Sequence, residues 1–218
     1  MYYIIGDIHG DLIRLMRLMK KVLPDFDTEN DVMIFLGDYI DRGPYSFEVV
    51  DYLLGLSRRI NIIFLKGNHE DMMEKYIRGE GDETVYLCNG GESTIRSYRR
   101  HMGSFIFPEE HKRFFDELRL YYETDEFVAV HAGLNPDKDD VRDQKERDLL
   151  WIRDAFFSAD KRWDKTVIFG HTPVYLMTRT AGVVIDDERN IIGIDNGVIF
   201  GNDLACLRWP DRKIYYSD

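Results

Sequence analysis

A chain of 218 residues with 44% hydrophobic content has the length of one domain, or of one with a modest insertion, and enough apolar side chains for a sizeable core. Its net charge of −11, from 29 basic and 40 acidic residues, argues against a nucleic-acid binder that works through a broad basic face, though not against a local positive site made by bound metal ions. Cys88 and Cys206 are the only cysteines, which excludes a disulfide framework or a zinc-type cysteine cluster; no apolar run approaches the ~18 residues of a membrane span, and no leader opens the chain, so a cytoplasmic setting without membrane contact is expected.

In chain order, residues 2–6 read as a strand ending at Gly6-Asp7-Ile8-His9-Gly10. A helix follows from about Asp11 to Val22, with Leu12, Leu15, Met16, Met19 and Leu23 at helical spacing and Pro24 as its stop. The apolar run 32–36 is a second strand and ends in Gly37-Asp38-Tyr39-Ile40-Asp41-Arg42-Gly43. Pro44 fits the first turn of the next helix, which runs to about Ser57 with Phe47, Val50, Tyr52, Leu53 and Leu54 mostly inward. A third strand, 60–65, ends at Lys66-Gly67-Asn68-His69-Glu70. The first seventy residues thus give β-α-β-α-β, with a polar motif at every strand end, where open α/β sheets bind ligands.

From 69 to about 120 the pattern is mostly helical, interrupted at Asn89-Gly90-Gly91, with Glu109 to Leu118 as a further helix. A strand at 127–131 ends at His131-Ala132-Gly133-Leu134. The charged stretch 135–146 is a loop, and a helix at 147–157 carries Trp151-Ile152-Arg153. A strand at 166–169 ends at Gly170-His171-Thr172-Pro173. Short strands at 183–185, 191–195, 203–209 and 213–217 follow, some separated by turns at Asn196-Gly197 and Pro210-Asp211. A βαβ-like start and a β-rich end imply an α/β fold of two sheets packed together with helices outside, as a single unit over 1–218.

The strand ends collect Asp7, His9, Asp38, Asn68, His131 and His171, a mixed oxygen and nitrogen set that suits manganese, iron or zinc better than calcium or magnesium. Asp7 and His9 alternate on one loop, and the spare lone pairs of Asp38 allow it to bridge two ions. Two cations about 3.5–4 Å apart would polarise a phosphoryl group and activate water for in-line attack, so no protein nucleophile is needed. Arg42 can grip two phosphate oxygens, and Arg153 is a second candidate clamp. His69 points away from the ligand side and is a candidate general acid, with Asp41 as the partner that orients it and favours its protonated form.

Gly6 to Gly10, Gly37 to Gly43, Gly67 to Glu70, His131 to Leu134 and Gly170 to Pro173 resemble, in order, the signature motifs of the metal-dependent phosphoprotein phosphatases, the calcineurin-like metallophosphoesterases. Leu87-Cys88-Asn89-Gly90-Gly91, Trp151-Ile152-Arg153, Ile194 to Gly197 and Phe200-Gly201-Asn202 extend the resemblance to the small bacterial and phage members, so it covers nearly the whole chain. It implies a metallophosphoesterase β-sandwich of two mixed sheets flanked by helices. Asp7, His9 and Asp38 would hold one divalent metal, and Asp38, Asn68, His131 and His171 the other, with manganese as the expected ion and iron, zinc, nickel or cobalt as alternatives. Arg42 and Arg153, with Asn68 and His69, would bind substrate phosphate, and His69 backed by Asp41 would be the acid. The implied activity is hydrolysis of phosphoserine and phosphothreonine, with phosphotyrosine as an extension and a phosphorylated protein or peptide as partner. His131-Ala132-Gly133-Leu134 looks more like the eukaryotic enzymes than the phage form, which bears on the substrate-facing loop.

The main rival is a symmetrical dinucleoside tetraphosphate hydrolase, which would show itself by aromatics placed to stack on adenine. A binding protein that keeps the fold as a scaffold is the rival from another class, and the full ligand set opposes it. Elsewhere the plain readings are favoured. His101 and His111 are surface histidines, Gly90-Gly91 is a helix break, Asn196-Gly197 is a turn and 137–148 is a solvated acidic loop. For Arg153 the alternative is a helix arginine paired with Asp154. Cys206 and Arg212 have the C-x5-R spacing of cysteine-dependent phosphatases, but the strand-like run around Cys206 and Pro210 lacks the loop of N–H groups that chemistry needs, so Cys206 is core.

Overall fold

The computed structural model describes residues 1–218. Strand β1 (Tyr2–Ile5), helix α1 (Leu12–Val22), β2 (Val32–Phe35), α2 (Ser46–Ser57) and β3 (Ile62–Phe64) form the expected β-α-β-α-β start. Helices α3 (Asn68–Arg78), α4 (Glu83–Tyr86), α5 (Glu92–Met102) and α6 (Glu109–Asp116) fill the middle. Then come β4 (Tyr121–Glu123), β5 (Phe127–Val130), α7 (Glu146–Trp151), α8 (Asp154–Phe157), β6 (Thr166–Phe169) and α9 (Val174–Thr178). The chain ends in β7 (Val184–Asp186), β8 (Ile191–Gly193), β9 (Ala205–Trp209) and β10 (Lys213–Tyr216).

Two mixed five-stranded sheets result, ordered β10-β9-β1-β2-β3 and β4-β5-β6-β8-β7. In the first, β1, β2 and β3 are parallel and β9 and β10 antiparallel. In the second, β5, β6 and β8 are parallel, with β4 and β7 as antiparallel edges.

Strand residues alternate between two cores, which is why these strands read as unbroken apolar runs. Ile4, Ile34, Leu36, Phe127, Ala129 and Ile168 face the space between the sheets. Tyr3, Ile5, Met33 and Phe35 face outward onto α1 and α2, and Val128, Val130, Val167 and Phe169 face a third cluster with Leu149 and Phe156. Each such side chain contributes about 1.5–3 kcal/mol on burial. A left-handed non-glycine residue costs about 1–2 kcal/mol. The sandwich can therefore carry several strained loop residues at its rim.

The structure departs from the sequence reading in several places. In α1 the buried stripe is Leu15, Leu18, Met19 and Val22, and Met16 lies off it and is exposed. Pro44 stays outside α2, which buries Val49, Val50 and Leu53 while Tyr52 and Leu54 are only half-buried. Strand β4 and helix α9 were not anticipated, because three and five residues are too short to show a period. The single helix expected over 147–157 is broken at Ile152 and Arg153, whose backbone leaves the helical region (φ −61, ψ 143 and φ −133, ψ −110). His111 is not a surface histidine. It is buried with Phe114 and Phe115 on the inner face of α6, its Nδ1 is 2.9 Å from the Tyr98 hydroxyl, and burial lowers its pKa. Its charged neighbours Glu110 and Lys112 lie on the outer face. His101 is exposed, 2.9 Å from Glu48. Cys206 is fully buried, and burial pushes its thiol up, away from thiolate chemistry.

Candidate active site

The loops after β1, β2, β3, β5 and β6 converge at one edge of the sandwich. They bring all six candidate metal ligands together, with His69, Asp41, Arg42 and Arg153 beside them. His9, Asp38 and His69 form one group of close ligand atoms, and Asp38, His131 and His171 another, each within 4.8 Å. Asp38 belongs to both: Oδ2 lies 3.5 Å from His9 Nε2, and Oδ1 lies 3.4 Å from His131 Nε2. Asn68 Oδ1 is 2.9 Å from His131 Nε2.

Second contacts fix the ligands. His9 Nδ1 donates to the Ile40 carbonyl at 3.2 Å and His131 Nδ1 to the Leu36 carbonyl at 2.8 Å, so each ring turns its Nε2 inward. The Asp7 carboxylate accepts the His171 N–H with both oxygens at 3.1 Å, tying the end of β1 to the end of β6. His9, Asp38, Asp41, Arg42 and His171 all have positive φ, between 50 and 70. Strain concentrated on functional side chains is typical of sites whose geometry the fold over-determines.

The electrostatics call for cations. Burial raises the pKa of Asp7 and Asp38 well above the usual carboxylate range, and it raises Asp195 to about 6 and Glu70 to about 7. Burial also lowers His9 and His171, and brings His131 to about 3, so the imidazoles are neutral and free to ligate. His171 Nε2 is buried without a hydrogen-bond partner. An orphaned imidazole nitrogen among clustered carboxylates fits a pair of divalent cations; Asp7 lies outside both close groups, with its two oxygens engaged by the His171 N–H.

His69 lies beside the candidate ligands, its Nε2 3.9 Å from Asp38 Oδ2. Its Nδ1 is 2.8 Å from Asp41 Oδ2, and Arg42 Nη2 is 3.3 Å from its Nε2. A guanidinium only donates, so Nε2 accepts and the ring proton sits on Nδ1, facing Asp41. The expectation that Asp41 keeps His69 protonated is not met. Burial, reinforced by Arg42 and Arg153, lowers His69 to about 3, and burial raises Asp41 to about 7. Arg153, released by the break between α7 and α8, donates Nη1 to the His171 carbonyl at 3.3 Å and to Thr172 Oγ1 at 3.2 Å. It is not paired with Asp154 as a helix arginine. Both arginines line a cleft of about 400 Å³ with His69, Asn68 and Asp195.

Several residues of the site carried no role in the sequence reading. Asp41 accepts from Thr94 Oγ1 at 2.6 Å and Tyr86 OH at 3.1 Å, so the segment from α4 to α5 holds the acid's partner. The Gly90 break is part of this support: its carbonyl accepts the Arg42 N–H at 3.2 Å, and at φ 103 a Cβ there would come 2.8 Å from that nitrogen. Asp195 lines the cleft and is the first charged neighbour to raise Asp7. Glu70 is fully buried and accepts the backbone N–H groups of Asp38, Tyr39 and Gly67, each at 2.9 Å. A Glu at the third position of a helix that caps the preceding turn was the available signal for it. Glu70→Gln keeps one acceptor oxygen and places its NH2 against at least one of these donors, since Asp38 and Gly67 share Oε2 and Tyr39 uses Oε1. The variant should unfold about 2 kcal/mol more easily in thermal or urea denaturation. An unchanged midpoint would remove Glu70 from the support of the Asp38 loop.

The sequence matches the family model described as calcineurin-like phosphoesterase over residues 2–203. A relative from Anoxybacillus flavithermus, named bis(5'-nucleosyl)-tetraphosphatase PrpE [asymmetrical], is 28% identical and aligns with 97% of this chain and 91% of its own. Among solved structures, a candidate diadenosine tetraphosphatase superposes with a TM-score of 0.72 at 21% identity, over 99% of this chain and 91% of that one. A cold-active protein-tyrosine phosphatase from a Shewanella species superposes with a TM-score of 0.62 at 14% identity, over 100% of this chain and 80% of that one. At these identities the two superpositions show a common fold.

Proposed function

The chain belongs to the calcineurin-like phosphoesterases, and from that footing we propose that it hydrolyses dinucleoside tetraphosphates, cutting the polyphosphate asymmetrically at a pair of divalent metal ions. The observation that carries this reading is the mixed lining of the cleft. Arg42, Arg153 and His69 stand at the phosphate end, and the same cleft continues into the apolar Pro173, Leu176, Ile199 and Phe200. A lone phosphoryl group would use only part of that space. The full-length relative named for an asymmetrical tetraphosphatase supports the choice and favours it over the symmetrical cleavage considered from sequence.

The residues divide the work as follows. Asp7, His9 and Asp38 would hold one ion, and Asp38, Asn68, His131 and His171 the other, manganese being the proposed metal. Bound there, the ions supply the charge that stabilises the phosphoryl oxygens and acidifies the attacking water. Arg42 and Arg153 clamp the non-bridging oxygens, which fixes the phosphorus for in-line attack. Arg42 leaves His69 Nε2 for the substrate, and the phosphate charge then restores the proton affinity that burial removes. Once Nε2 has taken a proton from solvent, His69 can give it to the leaving oxygen while its Nδ1–H stays on Asp41.

The serine/threonine protein phosphatase expected from sequence is the second reading. It uses the same centre, and Arg153 favours it, because the Trp151-Ile152-Arg153 break that resembles the small protein phosphatases does deliver Arg153 to the cleft. Manganese-loaded protein given diadenosine tetraphosphate and a phosphoserine peptide at matched concentrations separates the two. Release of AMP and ATP as the faster reaction, stopped by a chelator, is expected. Two ADP would make the cleavage symmetrical, and faster phosphate release from the peptide would move the function to phosphoproteins.

A further inference from the structure

The apolar end of the cleft is built, not incidental. Phe200 is 60% exposed and Leu176 51% exposed, and both line the cleft that holds Arg42 and Arg153. Phe200 ends a tight helical turn, Val198–Phe200, between Gly197 and Gly201, which are both left-handed at φ 78 and 90. A Cβ on Gly197 would come 3.0 Å from Phe200 Cδ2, so the ring lies on the bare face of that glycine. Side chains lock this turn. Asp195 accepts the Gly197 N–H at 2.8 Å, Asn202 donates to the Asn196 carbonyl at 2.8 Å, and Arg14 donates to the Gly201 carbonyl at 2.8 Å. The Val174 N–H donates to the Asp195 carbonyl at 2.8 Å, which ties α9, and with it Leu176, to the same loop. An aromatic ring on a braced turn, mostly in solvent beside Arg42 and Arg153, contributes little to the core and is placed for a flat ligand.

We propose that Phe200, with Leu176 and Ile199, forms a nucleobase subsite whose occupant carries phosphates to Arg42 and Arg153. This deepens the dinucleotide reading and rests on it. Asp195 lines the same cleft but is engaged by the Gly197 N–H, and Phe200, Leu176, Ile199 and Pro173 carry no charge, so recognition here is by stacking and apolar contact, which accept any base because every base offers a π-face. A cleft of about 400 Å³ is in the range of small-ligand sites and has room for a base and sugar beyond the phosphates.

The test compares binding of α,β-methylene-ADP with that of methylenediphosphonate by titration calorimetry on the manganese-loaded protein, which separates the nucleoside contribution without requiring turnover. The nucleotide analogue should bind about tenfold more tightly than the base-free anion, as one stacked base allows. Phe200→Ala should remove most of that difference, and Phe200→Tyr should retain it. Equal affinities in the wild type, or a difference that survives Phe200→Ala, would overturn the subsite. A nucleoside-dependent gain lost in Phe200→Ala, in a protein that leaves diadenosine tetraphosphate intact, would support the subsite and overturn the hydrolytic reading. Dinucleotide cleavage with equal affinities would do the reverse.

Discussion

Asp38→Asn is expected to lower hydrolysis on the order of a thousandfold and to reduce bound metal from two ions per chain to at most one. The substitution keeps the shape of the side chain and removes its charge. Asp38 lies between His9 and His131, one oxygen toward each, and Oδ1 also accepts the His69 N–H at 3.1 Å. An amide can present only one oxygen to this group, and its NH2 would face an imidazole nitrogen on the other side. The stability effect should have the opposite sign. Burial raises both Asp7 and Asp38; repulsion from Asp195 and Asp38 adds to it at Asp7, and repulsion from Glu70 and Asp195 at Asp38. Metal-depleted Asp38→Asn should therefore melt at or above the temperature of metal-depleted wild type. Metal analysis by mass spectrometry, with melting curves at matched pH, reads both effects. Two retained ions with wild-type turnover would rule out the bridging role.

The convergence of the candidate ligands was legible because each follows an apolar strand, and a strand end is visible in one stretch of sequence. Asp7 after β1, Asp38 after β2 and His171 after β6 each stand out locally, and parallel pairing carries them to one edge. The support beneath them was not legible, because it arrives from far along the chain. Thr94 reaches Asp41 across 53 residues and Glu70 reaches Asp38 across 32. No period or turn signal marks such a contact. The helix break at Arg153 was missed for another reason: residues 147–157 are all compatible with one helix, and only packing puts the break where it frees the guanidinium. Phe200 was quoted only as part of a resemblance, since exposure of an aromatic cannot be read before the fold is known. The two-sheet sandwich itself followed from the order of strands and helices. The strand pairing shows why: each sheet has three adjacent parallel strands, which need crossover connections of the kind the sequence displays.

The largest catalytic effect outside the metal ligands should come from His69→Asn, and its size should depend on the leaving group. Asparagine keeps a polar group near Asp41 and cannot donate an ionisable proton. A serine alkoxide leaves poorly without protonation, so a phosphoserine peptide should lose about 10²–10⁴ in kcat with little change in KM. A polyphosphate leaving group is already stable as an anion, its terminal phosphate ionising near about pH 6. Diadenosine tetraphosphate should therefore lose far less, about tenfold, and p-nitrophenyl phosphate should behave like the anhydride. Asp41→Asn should follow the same ranking with smaller losses, because it leaves the imidazole in place and removes only the carboxylate 2.8 Å from Nδ1. Equal losses on all three substrates would mean that His69 acts on the phosphoryl oxygens and not on the leaving group. Arg42 Nη2 lies 3.3 Å from His69 Nε2, so the substrate must displace that contact before any proton can pass. A variant Arg42→Ala would separate the two contributions: the His69→Asn defect measured in that background should shrink on the peptide if guanidinium and imidazole act on one bound phosphate, and should be unchanged if they act independently.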